Sequence, residues 1–184
     1  MRIAISGKSG CGNTTVSTLV AERLGYPLIN FTFRNLARER GVDFWDFCRM
    51  AQEDDSIDRE LDARQVAMAL EQPNCVLGSR LAIWMLKEAD LKVYLTASTE
   101  ERASRILRRE GGTFEQRLRE TEKRDENDTG RYLRIYGIDN TDPSVADLVI
   151  ETDELSSDEV ASLILAEVAK LSDPSRQTDR NTLL

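Results

Sequence analysis

A glycine-rich segment near the start of the chain has the residue types and spacing of a phosphate-binding loop. Residues 3–15 are IAISGKSGCGNTT, which fits the pattern G-x-x-x-x-G-K-[ST] at every position except the lysine, where Asn13 stands. Glycines let backbone N–H groups curl around an anion, and the helix expected after them directs the positive end of its dipole to the same place. The segment therefore predicts binding of nucleotide phosphates.

Two side chains of this loop have distinct expected roles. The Thr14 hydroxyl is placed to ligate Mg²⁺ between the β- and γ-phosphates of ATP, and Lys8 is the nearest cation that could replace the absent lysine. The alternative is a glycine-rich turn between a strand and a helix that holds no ligand. The residues predicted to bind ATP are Gly7, Lys8, Ser9, Gly10, Cys11, Gly12, Asn13, Thr14 and Thr15.

Charged residues recur at helical spacing in two later segments. Arg124, Asp128 and Arg131 fall on one face of a predicted helix. Asp58 and Asp62 are four residues apart on another helix, and like charges at that spacing are destabilising unless a cation or a bound base lies between them. Solvated helices with salt-bridged pairs are the alternative interpretation.

Composition excludes several classes of function. The chain has 184 residues and a net charge of −8, which argues against a broad nucleic-acid-binding surface. It contains no histidine, so imidazole bases and histidine metal sites are excluded. No apolar run approaches the length of a membrane span, no signal peptide is evident, and three cysteines without metal-type spacing indicate reduced thiols. We expect a cytoplasmic monomer that contacts neither membrane nor nucleic acid.

Strands and helices alternate along the chain in the pattern of a parallel sheet covered on both faces. The predicted strands cover residues 2–6, 27–29, 75–77, 91–95 and 148–150. The predicted helices cover residues 13–24, 33–39, 43–52, 57–71, 98–109, 113–135 and 156–171. In such α/β folds ligands bind beyond the carboxyl ends of the strands, where the glycine-rich loop is expected.

Nine stretches of the chain, taken together, are more specific than the glycine-rich loop alone. They are ERLGYPLIN, FRNLARERG, SIDRELDARQ, SRLAIWM, LKVYL, ERASRILRREG, RETEKRD, GRYLRIYGID and DLVIETD. In this order and spacing they resemble the archaeal-type cytidylate kinases, which are small P-loop kinases, over about residues 2–170. The resemblance implies transfer of the ATP γ-phosphoryl group to CMP or dCMP.

The resemblance also implies an architecture. We expect an α/β fold of the P-loop NTPase type, with a five-stranded parallel sheet flanked by helices, a helical segment that binds the nucleoside monophosphate (NMP), and a lid. The parts of this single domain are a core at 1–30, 73–108 and 138–172, an NMP-binding segment at 31–72, a lid at 109–137, and a polar, frayed tail at 173–184.

The resemblance further implies roles for individual residues. The acceptor CMP is expected to contact Arg34, Asp58, Arg59, Asp62, Arg80, Arg124, Asp128 and Arg131. The catalytic residues are expected to be Lys8, which the loop pattern itself suggests, and Arg105, Arg109 and Arg131. Of these, Arg105 and Arg109 would come from the lid side and meet the transferring phosphoryl group. ATP with Mg²⁺ is the expected co-substrate.

The residues at two positions differ from those expected in an efficient phosphoryl-transfer site. Asn13 stands at the lysine position, and Gly78 stands at the end of a strand where a carboxylate is expected. The candidates to compensate are Lys8 for the lysine, and Asp55, Asp58 or Asp62 for the carboxylate. The alternatives are therefore a non-catalytic nucleotide-binding protein of kinase fold, and a kinase for another small acceptor such as UMP or AMP.

Overall fold

Strands and helices alternate along the chain close to the predicted boundaries. The computed structural model describes residues 1–172 apart from the side chain of Trp45, so the predicted polar tail at 173–184 lies outside the described residues. In chain order the elements are β1 (Arg2–Gly7), α1 (Asn13–Leu24), β2 (Leu28–Ile29), α2 (Phe33–Glu39), α3 (Phe44–Glu53), α4 (Asp55–Leu70), β3 (Cys75–Gly78), α5 (Ala82–Met85), β4 (Leu91–Thr96), α6 (Thr99–Glu110), α7 (Phe114–Tyr136), β5 (Leu148–Glu151) and α8 (Ser157–Ser172). The sequence patterns do not indicate the short helix α5 or the 3₁₀ turn at Pro143–Val145.

The five strands form one parallel sheet in the order β2–β3–β1–β4–β5. In this sheet β1 is central, with Ile5 opposite Gly78 of β3 and Gly7 opposite Leu95 of β4. Because parallel strands end at the same edge, this register brings the glycine-rich loop beside the segments that follow β3 and β4. The predicted α/β fold with a five-stranded parallel sheet is confirmed.

The sheet is buried on both faces, as the apolar residues of β1 predict. Ile3, Ala4 and Ile5 have no exposed surface. Ile3 and Ile5 pack in one cluster with α1 and α8, whereas Ala4 packs in a second with α5. A third cluster around Phe47 lies entirely within residues 31–72, so that helical segment has a small core of its own. Among the described helices, none combines the length and hydrophobicity needed to cross a membrane.

Serine side chains cap the N-termini of α6 and α8 in different ways. Ser156 and Glu159 form a reciprocal capping box before α8, with Ser156 N donating to Glu159 Oε2 at 2.8 Å. At the start of α6, Ser98 Oγ accepts from Glu101 N at 3.2 Å, but the Glu101 carboxylate binds Arg105 at 2.9 Å instead of closing the box. The expected box at Ser98 is therefore half formed, and Glu101 holds Arg105 instead.

Helix α1 approaches the end of β3 so closely that glycine alone fits there. A Cβ added at Gly78 would lie 2.5 Å from Ser17 Oγ and 2.8 Å from Ser17 Cβ. Ser17 is buried, and its hydroxyl donates to Asn13 Oδ1 at 3.2 Å. The packing of α1 on β3 therefore excludes the carboxylate that a phosphoryl-transfer site is expected to carry at this position.

Replacing Gly78 with alanine is expected to destabilise the fold by about 1–3 kcal/mol, because the new methyl group overlaps Ser17. Gly130, inside α7, is a matched control. A Cβ there meets nothing within 4 Å, so Gly130→Ala is expected to stabilise the protein by about 0.5–1 kcal/mol. Urea denaturation of both variants measures the difference, and equal stabilities would contradict the close packing of α1 on β3.

Candidate active site

An open cleft of about 1520 Å³ runs along the carboxyl edge of the sheet. Its walls include the glycine-rich loop, the segment after β3, and faces of α4, α6 and α7. The volume exceeds the roughly 300–1,000 Å³ typical of a site for one small ligand. The cleft therefore has room for two substrates side by side.

The glycine-rich loop has the backbone shape that an anion cradle requires. Gly10 and Gly12 have φ values of 89° and 90°, which favour glycine. A Cβ at Gly10 would lie 2.8 Å from Arg102 Cβ, so the loop packs tightly on α6. Cys11 is buried within the loop, and this burial raises the pKa of its thiol, so the residue packs as a neutral side chain. Thr14 is exposed in the first turn of α1.

Lys8 is the side-chain cation of the loop, and a carboxylate from α7 holds it. Its Nζ lies 3.4 Å from Asp125 Oδ2. Asn13, at the usual lysine position, directs its amide oxygen to the Ser17 hydroxyl instead. The loop thus carries a positive charge although the lysine of the motif is absent.

Arg102 is a buried charge that joins the loop to α7. Its side chain is 2% exposed, and it donates to both carboxylate oxygens of Asp125 at 3.1 Å and 2.6 Å. Further hydrogen bonds reach Ser9 O at 3.2 Å and Thr99 Oγ1 at 3.1 Å. A buried guanidinium needs such partners because leaving it unpaired is strongly destabilising. The sequence signal for its burial is its spacing to Ile106, one turn further along the buried face of α6.

The two arginines expected on the lid side occupy different places in the cleft. Arg105 Nη1 donates to Gly10 O at 3.4 Å and to Thr152 Oγ1 at 2.9 Å, so this side chain braces the glycine-rich loop. Arg109 is exposed, and its guanidinium donates to the neighbouring Glu110 at 2.6 Å. Both arginines line the cleft, with Arg105 against the loop and Arg109 at the rim.

Three arginines converge on the Asp128 carboxylate. Arg80, which follows β3, donates to Asp128 Oδ2, and Arg131 Nη2 donates to Oδ1 at 3.1 Å. Arg124 Nε lies 4.0 Å from Oδ2. Even with Asp58, which also lies against Arg131, two carboxylates do not neutralise three guanidinium groups. The adjacent Arg80 together with burial lowers the pKa of Arg124. This arginine cluster, formed by Arg80, Arg124 and Arg131, therefore has the excess positive charge of an anion site.

The remaining predicted arginines differ in their orientation. Arg34 of α2 lines the cleft, with its guanidinium 3.9 Å from the centre of the Phe44 ring. Arg59 is exposed, donates to Ile135 O at 2.9 Å, and is not among the described residues that line the cleft. One step along a helix turns a side chain by about 100°, so Arg59 points elsewhere than Asp58. The structure does not bring Arg59 to the expected acceptor residues.

Two buried carboxyl groups of α4 form part of the cleft wall. Asp58 and Asp62 are 2% and 7% exposed. Asp58 Oδ1 lies 3.2 Å from Arg131 Nε, so this arginine of α7 is the cation that the spacing of the two aspartates calls for. Burial raises the pKa of Asp58, and it raises that of Asp62 to about 6 although Tyr136 donates a hydrogen bond at 2.6 Å.

Sequence reasoning missed three residues that organise the cleft. Asp125 and Arg102 connect the loop to α7, and Tyr136 connects the end of α7 to α4. Asp55, a candidate to replace the missing carboxylate, is bound by Arg134 at 2.6 Å and is not among the described residues of the cleft wall. These assignments depend on contacts between distant segments, which local spacing does not reveal.

Replacing Asp125 with asparagine is expected to lower the free energy of unfolding by about 3 kcal/mol, because Arg102 would remain buried without an anionic partner. Asp55→Asn, in the exposed pair with Arg134, is the control and is expected to change stability little. Urea denaturation measures both variants. A loss at Asp125 no larger than that at Asp55 would show that the buried pair does not anchor α7.

Comparison with known proteins gives the family. Residues 2–154 match the model of the cytidylate kinase-like family. A protein named cytidylate kinase 2 from Borreliella afzelii (strain PKo) is 50% identical over 174 residues, which cover 92% of this chain and 97% of the relative. A cytidylate kinase from Pyrococcus furiosus is 41% identical over 171 residues, which cover 92% of this chain and 88% of the relative.

Solved structures of other kinases share the fold. A shikimate kinase from Bacteroides thetaiotaomicron superposes with a TM-score of 0.60 at 16% identity, covering 92% of this chain and 98% of that one. A deoxyadenosine kinase from M. mycoides superposes with a TM-score of 0.54 at 17% identity, covering 92% and 100%. At these identities the likeness concerns the fold alone. Because the family model spans most of the chain and the relatives align along nearly all of it, this protein belongs to the cytidylate kinase-like family.

Proposed function

We propose that this protein is an ATP-dependent cytidylate kinase that transfers the γ-phosphoryl group of ATP to CMP or dCMP. Relatives that are 40% and 50% identical over most of the chain are named cytidylate kinases. The observation that carries the proposal is that the arginine cluster and the glycine-rich loop line the same cleft. Two anion-binding regions in one cleft suit two phosphorylated substrates. Since both belong to one chain, we propose that a monomer suffices.

The glycine-rich loop is the proposed site for the phosphates of ATP. Thr14 supplies an exposed hydroxyl in the first turn of α1. In residues 1–172, no group of three or more histidine, cysteine or acidic side chains is arranged to hold a metal ion. Mg²⁺ binds readily through few protein ligands plus phosphate oxygens and water, so Thr14 fits an ion that arrives with ATP. Bound there, Mg²⁺ would neutralise charge on the β- and γ-phosphates.

The other half of the cleft is the proposed acceptor site. The arginine cluster would hold the phosphate of CMP, and Arg34 adds a cation on α2. Asp58 and Asp62 would face the nucleoside. In this proposal residues 31–72, which have their own small core, act as the NMP-binding segment, and residues 109–137 act as the lid.

Phosphoryl transfer in this cleft needs positioning and charge neutralisation rather than a protein nucleophile. An oxygen of the acceptor phosphate forms a bond to the γ-phosphorus, while the bond from the γ-phosphorus to the bridging oxygen breaks, which gives CDP and ADP. Closure of the lid would exclude water and limit hydrolysis of ATP. The residues proposed to neutralise the developing charge are Lys8, Arg105, Arg109 and Arg131.

The proposal is tested by a coupled assay of ADP release with Mg·ATP and CMP, dCMP, UMP or AMP in turn, beside a control without acceptor. We expect turnover with CMP or dCMP well above that with the other two. Binding of CMP without acceptor-dependent ADP release would favour a non-catalytic nucleotide-binding protein. Faster turnover with UMP or AMP would assign a different acceptor.

Replacing Lys8 with methionine is expected to lower kcat by about 10²–10³, the loss seen when a charge-stabilising group is removed from a transfer site. Adding Asn13→Lys to this variant is expected to restore part of kcat, because it returns a cation to the loop. Lys87→Met, at an exposed position outside the cleft, is the control. An unchanged kcat in Lys8→Met would remove Lys8 from the catalytic residues.

A further inference from the structure

We propose that Tyr136, the last residue of α7, is a positioning residue that makes the carboxyl pair of α4 selective for cytosine. Tyr136 holds Asp62 so that this side chain donates a hydrogen bond to ring atom N3 of the base, while Asp58 accepts one from the exocyclic amino group. The inference rests on the proposed CMP kinase activity and identifies the groups that choose the base.

Asp58 has an unused acceptor in the wall of the cleft. Its Oδ2 is buried and has no hydrogen-bond partner in the described structure, whereas Oδ1 lies 3.2 Å from Arg131 Nε. A buried carboxylate oxygen without a partner is costly, so such atoms are rare unless a ligand supplies the missing bond. The amino group of cytosine is a donor of the required kind.

Tyr136 at the end of α7 holds the side chain of Asp62. Tyr136 Oη donates to Asp62 Oδ2 at 2.6 Å, and Asp62 lines the cleft whereas Tyr136 is not among the described lining residues. The hydrogen bond occupies Oδ2, which leaves Oδ1 for a ligand. A proton on Asp62 then resides on Oδ1, because Oδ2 already accepts from the tyrosine.

The charges around the pair decide which acid keeps a proton. Arg131 lies against Asp58 and favours its ionised form. Asp62 bonds instead to a neutral hydroxyl. Its burial raises its pKa to about 6 although the Tyr136 hydrogen bond lowers it, while Asp58 raises it further and Arg131 lowers it. A base nitrogen that accepts from Asp62 favours the protonated form further. With Asp62 protonated, the pair offers one donor and one acceptor.

This donor and acceptor match cytosine and oppose uracil. Cytosine presents an amino donor next to the N3 acceptor, whereas uracil presents a carbonyl acceptor next to an N3–H donor. A neutral Asp62 and an ionised Asp58 can form two hydrogen bonds with cytosine. With uracil, the Asp62 donor would face the N3–H donor and the Asp58 acceptor would face the carbonyl acceptor. Sites that would leave buried polar groups unpaired discriminate strongly between such ligands.

Tyr136→Phe tests the positioning role, with Tyr94→Phe as its matched control. Tyr94 is buried whereas Tyr136 is half-buried; like Tyr136 it donates one hydrogen bond, to Asn140 O at 2.8 Å, and it is not among the described residues of the cleft. The Kd values for CMP and UMP are measured by calorimetry without ATP, and KM and kcat by the ADP-release assay. At a pH below about 6, where Asp62 keeps its proton with or without the tyrosine, we expect Tyr136→Phe to reduce the CMP-over-UMP preference about fivefold to tenfold, because Asp62 loses its fixed orientation and binds CMP more weakly. The kcat for CMP and the KM for ATP should stay near their wild-type values, and Tyr94→Phe should change none of these.

A pH series tests the proton on Asp62. The donor form exists below a pH of about 6 and is lost as the pH rises, so the CMP-over-UMP preference of the wild type is expected to fall between pH 6 and pH 8. CMP and UMP carry the same phosphate group, so titration of that phosphate affects both ligands equally and cancels in the CMP-over-UMP preference. Asp62→Asn keeps a donor that does not titrate and is expected to remove this pH dependence. A pH-dependent preference in Asp62→Asn equal to that of the wild type would overturn the assignment.

The outcomes separate this inference from the proposed kinase activity. If the wild type phosphorylates CMP and Tyr136→Phe retains the wild-type preference, the positioning role is wrong and the kinase activity stands. If no acceptor gives turnover, the kinase proposal fails, and the calorimetric preference still decides the role of Tyr136. A reduced preference in Tyr136→Phe supports the role, and an unchanged one contradicts it.

Discussion

The buried pair between Arg102 and Asp125 sets the geometry on which the rest of the cleft depends. Arg102 bonds the glycine-rich loop at Ser9 O and α7 at Asp125, so one guanidinium connects the two elements. Because its charge is buried, separating the elements would leave it unpaired at a high cost in free energy. The anchor also orients Lys8, since the same carboxylate holds both cations.

Further residues of α7 make contacts along the cleft. Asp125 meets the loop, Asp128 gathers the arginine cluster, Arg131 reaches Asp58, and the helix ends at Tyr136 against α4. The carboxylates along this helix do not neutralise the arginines around them; they hold guanidinium groups in fixed directions. The cleft therefore keeps an excess of positive charge, which suits the binding of an anion.

The two departures from the usual loop pattern are neighbours in the fold. The amide oxygen of Asn13 accepts from Ser17, and the Ser17 side chain fills the space where a side chain at Gly78 would lie. Asn13, which stands at the lysine position, and Gly78, which stands at the carboxylate position, thus take part in the same tightly packed contact between α1 and β3. Lys8 lies outside this contact and is the side-chain cation of the loop.

Local patterns in the sequence determined the strands and every described helix except the short α5 and the 3₁₀ turn, because periodicity and caps are properties of neighbouring residues. They also determined the glycine-rich loop and the charged face with Arg124, Asp128 and Arg131. Tertiary structure alone decided that Arg102 pairs with Asp125 and that Arg59 bonds to Ile135 O outside the cleft. These depend on which distant segment packs against each side chain, and one residue of rotation on a helix exchanges a buried partner for solvent.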